Sequence, residues 1–104
     1  MFVAITSAQK VVVEEWLSGT CDGRPFITAN VNGGPDGRAC VGAEQFPATN
    51  IRVRLVEGCG KGKAPVVKVS TGDCSNFAAV ATLSANGKCI PVNYAPAAYF
   101  ISCS

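Results

Sequence analysis

The chain carries no histidine at any of its 104 positions. That removes the Ser-His-Asp and Cys-His arrangements and the commonest general base near neutral pH. Seven carboxylates remain for acid–base work: Glu14, Glu15, Asp22, Asp36, Glu44, Glu57 and Asp73. A glycosidase needs two of them facing each other across a cleft. Glu14 and Glu15 do not make that pair, because neighbours on a strand point to opposite faces. No other pair is marked by its spacing. The chain therefore reads as a non-enzyme, with a small carboxylate-dependent hydrolase as the minor alternative. The glycine-rich stretch from Gly58 to Lys63 lacks the Gly-Lys-Ser/Thr ending of a phosphate loop. Asp36 lacks the acidic partners two and four positions on that a calcium loop requires. No cofactor is implied.

Six cysteines stand at Cys21, Cys40, Cys59, Cys74, Cys89 and Cys103. Zinc and redox sites bring two thiolates together on a short loop, typically about two to four residues long. No two cysteines here are that close, so a metal site is not expected. An even, widely spread set suits three intramolecular disulfides with no free thiol, the pairing itself staying open. Such a framework places the chain in an oxidising compartment, and it reads as secreted and extracellular. The start agrees: Phe2 to Ala8 is apolar, then small, like the tail of a secretory signal. Residues 1–8 are read either as such a remnant or as a leading segment, and 9–104 as one disulfide-stabilised domain. No apolar run is long enough for a transmembrane helix.

Two constellations offer binding chemistry. Arg52, Arg54, Lys61, Lys63 and Lys68 cluster around a single acid, Glu57. Arg52 and Arg54 share the outward face of one strand, with Lys68 expected across from them on the next; three cations there could hold an anionic glycan, a lipid head group or a carboxylate. The competing reading is a solvated sheet face. A net charge of +2 is too small to argue for nucleic acid. Trp16, Tyr94 and Tyr99 could present flat rings to a sugar or to a partner's sheet; the competing reading is core packing, above all for Tyr99 and also for Trp16.

The elements that must position these residues read mainly as strands. Lys10 to Leu17 opens on three valines and forms a first strand; Glu15 interrupts its alternation, which suggests a sheet edge. Phe26 to Val31 is a short strand, and residues 32–37 form a loop rich in breakers. Cys40 to Phe46 suits one helical turn stopped by Pro47. Asn50 to Val56 alternates cleanly, burying Ile51, Val53 and Leu55 and exposing both arginines. Residues 58–63 read as a hairpin loop into a strand from Pro65 to Ser70. Asp73 to Gly87 fits a helix, favoured by its alanines, or a hairpin about Asn86-Gly87; the helix is preferred. Ala97 to Cys103 closes the chain as a strand. The fold class expected is α+β: a mostly antiparallel sheet of four to five strands with one main helix packed on it, stapled by disulfides.

The stretches TSAQKVVVEEW, NIRVRLVEGC and AAYFISC, within this cysteine-rich layout, resemble the small secreted cysteine-rich proteins of fungi. Two branches are similar: a small mushroom lectin that binds glycans and dimerises through its sheet, and the killer-toxin-like effectors. The resemblance implies a compact α/β sandwich and extracellular recognition. The function expected is a lectin-like carbohydrate-binding domain, the alternative a toxin or effector acting on a cell surface or host protein. A valine-rich first strand left at a sheet edge would also template a homodimer.

Overall fold

The computed structural model describes residues 9–33, 38–60 and 62–103. Its strands are β1 (Lys10–Trp16), β2 (Ile27–Asn32), β3 (Ala39–Gly42), β4 (Asn50–Glu57), β5 (Pro65–Ser70), β6 (Ala79–Ser84), β7 (Ile90–Pro91) and β8 (Ala98–Cys103). They form two four-stranded antiparallel sheets, ordered β2-β1-β4-β7 and β3-β8-β5-β6. Val11, Val13, Val31, Ile51 and Val53 of the first sheet share one core with Val67, Val69, Leu83, Tyr99 and Ile101 of the second. The fold is an all-β sandwich, in which each sheet buries its apolar face against the other.

The α+β expectation is thus overturned. Among the described residues the only helical element is a 3-10 turn at Cys74–Asn76, capped by the Asp73 side chain. The segment expected as the main helix continues instead as β6, paired along β5. Its side chains alternate: Ala81 and Leu83 stand opposite the buried Val69 and Val67, while Val80, Thr82 and Ser84 are exposed. Alanine's helix preference is worth only tenths of a kcal/mol per residue, roughly, and sheet pairing overrides it. The turn expected at Cys40 to Phe46 begins as β3, paired with β8. No hairpin joins β4 to β5, which lie in different sheets.

The first strand is not an edge. β1 pairs with β2 on one side and β4 on the other, so its backbone groups are spent within the sheet. The template proposed for a homodimer through this strand is absent, and Glu15 has another explanation, given below. Leu55 also departs from expectation, being 53% exposed. β7 reaches only Asn50 and Ile51, so among the described residues the far half of β4 has no strand partner on that side.

Three disulfides staple the sandwich, and no described cysteine is free: Cys21–Cys89, Cys40–Cys74 and Cys59–Cys103. The last ties the crossing from β4 to β5 onto the end of β8, linking the sheets. No helix of the described residues is long and apolar enough to cross a membrane. The signal-like stretch 1–8, the loop residues 34–37 and Lys61 lie outside the described residues.

Candidate recognition surface

Register places the functional side chains. β1 and β4 align Val12 with Arg54, Glu14 with Arg52, and Trp16 with Asn50, all on the outer face of the first sheet. On the other side of β1, β2 brings Asn30 beside Val12 and Thr28 beside Glu14. Because β1 is central, this face spans three strands, with the exposed Thr28, Asn30 and Arg54 flanking the buried Val12, Glu14 and Trp16 of β1.

Glu14 is its hub. One oxygen, Oε1, accepts hydrogen bonds from Arg52 Nε at 3.0 Å and Arg54 Nε at 2.8 Å. Arg52 Nη2 lies 2.9 Å from the same oxygen. Burial pushes the Glu14 carboxyl up, but the hydrogen bonds from Arg54 and Arg52, with their charges, outweigh it and hold the group below its ordinary value. Two guanidiniums share one carboxylate, so the cluster is net positive. Both Nη groups of Arg54 are without a protein partner among the described residues. The arginines are fixed and still able to donate outward.

Trp16 belongs to this cluster but is not a platform. It is 2% exposed, and its Nε1 donates to the Gly23 carbonyl at 3.3 Å. Gly23, at φ 74°, makes the left-handed turn that brings this carbonyl to the indole N–H. The Arg52 guanidinium sits 5.0 Å from the ring centroid, a cation–π contact. Trp16 is a floor beneath Arg52 and does not offer its ring to a sugar.

The other two residues expected here lie elsewhere. Lys68 is on the outer face of the second sheet, aligned with Phe100 and Thr82. Tyr94, in the loop before β8, packs against the core, and its buried hydroxyl has no hydrogen-bond partner among the described residues. Burial first, then the charge of Glu15, pushes that hydroxyl's pKa up. Neither Glu14 as the clamp nor Thr28 and Asn30 as its neighbours is legible from spacing along the chain. Alternation in NIRVRLV gave the arginines' face, but only the β1–β4 register shows which acid they share.

Two shallow cavities adjoin the arginine face. One, about 400 Å³, lies at the free edge of β2, lined by Ile27, Thr28, Ala29 and Asn30 and by residues 41–44. The other, about 460 Å³, lies at the Trp16 end and is lined by Leu17, Ser18, Arg24, Pro25 and Phe26 as well as Trp16. Beside it Phe26 meets Phe46 edge-to-face at 5.1 Å, and both rings are partly open to solvent.

No cluster of described His, Cys, Asp or Glu side chains could hold a metal ion. What fold and surface define is a small all-β protein with three disulfides. No family model matches the chain, and neither a curated protein nor a solved structure matches it.

Proposed function

We propose that this protein is a secreted, non-enzymatic recognition domain whose ligand is an acidic glycan bound on the outer face of the first sheet. The observation that carries the reading is the pair of guanidiniums fixed on a single oxygen of Glu14. A preorganised pair loses little side-chain freedom on binding, and its outward N–H groups match a carboxylate or sulfate on a sugar. Thr28 and Asn30 lie two strands away, about 10 Å at ordinary strand spacing, and extend the surface with groups able to pair with sugar hydroxyls. The disulfides suit an oxidising compartment.

An array of acidic and neutral oligosaccharides tests the reading. Acidic glycans should bind, and Arg52→Ala with Arg54→Ala should weaken binding and flatten its salt dependence. Binding of neutral glycans alone, or affinity unchanged by the double substitution at low salt, refutes it.

The alternative is a toxin or effector acting on a cell surface or host protein, favoured by the exposed apolar end at Leu17, Phe26 and Phe46. Growth inhibition without binding to any glycan would select it.

A further inference from the structure

The outer face of the second sheet holds a separate pocket. Cys40 of β3, Phe100 of β8, Lys68 of β5 and Thr82 of β6 align in one row across its four strands. The Cys40–Cys74 disulfide draws the 3-10 turn and Phe77 over that row. Cys40, Lys68, Cys74, Phe77 and Phe100 line an open cavity of about 320 Å³. Phe77 and Phe100 meet edge-to-face at 6.0 Å.

The wall over the row is held from several sides. Asp73 Oδ1 accepts from Ser75 N, Ser75 Oγ and Asn76 N at 2.7–3.0 Å. The buried Ser70 hydroxyl accepts from Gly72 N and Ala78 N and donates to Gly72 O. A Cβ at Gly72 would collide with the Asn76 carbonyl, so this backbone approach requires glycine. These contacts turn the acid of the segment, Asp73, onto its own backbone. Lys68 is exposed and has no carboxylate partner among the described residues. One unpaired cation stands at the mouth of a small aromatic pocket with prearranged walls.

From this arrangement we infer that the pocket binds a small monocarboxylate carrying one aromatic ring. The ring packs against Phe77 and Phe100, and the carboxylate meets the Lys68 ammonium. The cavity is at the lower end of small-molecule sites, which limits the ligand to about one ring and a short acid arm. That chemistry has two sources, a free aryl acid or the C-terminal carboxylate of a peptide ending in an aromatic residue. The site is independent of the arginine face and of the glycan reading.

Two-dimensional NMR of the oxidised, full chain tests it at low ionic strength. The probes are 3-phenylpropionate, 3-phenylpropionamide, butyrate and a tetrapeptide ending in phenylalanine with a free carboxylate. 3-Phenylpropionate should shift Lys68, Phe77 and Phe100 with a Kd of about 1 mM. The amide, butyrate and Lys68→Met should each weaken binding about ten-fold, with Lys63→Met as the neutral control. A tetrapeptide tighter than the free acid identifies a peptide terminus as the source; one equal to or weaker than it identifies the free acid. The inference is overturned if the amide binds as tightly as the acid, if Lys68→Met has no effect, if the shifts fall outside the pocket, or if none appears.

Discussion

The Tyr99 hydroxyl, in the second sheet, donates a hydrogen bond to Oε2 of Glu15 in the first, joining the sheets through the core by a polar contact. Glu15 is fully buried, and its second oxygen has no hydrogen-bond partner among the described residues. Burial raises its pKa, and the Tyr99 hydrogen bond offsets this only in part. Burial and the neighbouring Glu15 also push the Tyr99 hydroxyl upward, so it stays a donor. With the folded Glu15 pKa above the unfolded one, its contribution to stability is complete below the unfolded value and is lost as pH rises through the folded value. The urea midpoint of the wild type should therefore fall across that window, while Glu15→Gln should show a flatter profile there. Parallel profiles would mean that burial does not hold Glu15 protonated. Tyr99→Phe should cost about 1–3 kcal/mol and move the loss to higher pH, since it removes the one contact that favours the charged form.

Glu14, one residue earlier and on the opposite face, has the opposite sign. Its pKa is lowered, so its contribution is present above the unfolded carboxylate value and lost as pH falls through the folded one. Glu14→Gln should remove that acid-side loss without touching the loss from Glu15. Arg52 and Arg54 are 32% and 47% exposed at their side chains, so solvent screening keeps the effect to about 1 kcal/mol or less. An acid limb of the stability curve unchanged by Glu14→Gln would show that the clamp contributes nothing to folding.

Trp16 is the chain's one tryptophan, so its fluorescence reports on the floor of the arginine face. At 2% exposure beneath Arg52 it should emit at short wavelength and resist acrylamide quenching. A ligand that binds Arg52 and Arg54 should leave quenching low, whereas a sugar stacked directly on the indole would require the ring to be uncovered first. Trp16→Ala should cost about 3–5 kcal/mol as a core truncation does. A red-shifted, readily quenched emission would return Trp16 to the role of an exposed platform.

Legibility in the sequence followed how local the determining interaction is. β1, β4, β5 and β8 were readable because valine runs and period-two alternation are properties of the segment itself. The helix expected over Asp73 to Gly87 failed because β6 is decided by β5, a partner that its own alanines do not announce. Glu15 read as a defect in alternation because the side chain that donates to it, Tyr99, is distant in the chain and in the other sheet. The same limit split the candidate site: Arg52 and Arg54 share a face by spacing alone, but whether Lys68 joins them depends on sheet membership. Leu55 shows it within one strand. Ile51→Ala should cost about 2–5 kcal/mol and Leu55→Ala within roughly 0.5 kcal/mol, although both sit on the same side of β4. Equal costs for the two would mean that a further element covers the far half of β4.

The disulfides offer the last test, because their pairing follows from topology and could not be read from spacing. Cys59 leaves the end of β4 in one sheet and Cys103 ends β8 in the other, so this bridge fixes the crossing that no hairpin provides. It encloses a sequence separation of 44, and constraining such a loop in the unfolded chain contributes roughly 4 kcal/mol in the entropy model. Intact mass should rise by six hydrogens on full reduction, matching the chain's 6 cysteines, and no alkylation should occur beforehand. Proteolysis without reduction should release Cys21 linked to Cys89, Cys40 to Cys74 and Cys59 to Cys103. Replacing Cys59 and Cys103 together by serine should lower stability by about that 4 kcal/mol, with the second sheet retained, because β5 pairs with both β6 and β8 independently of the bridge. Recovery of Cys59 joined to any other cysteine would contradict the way the two sheets are connected here.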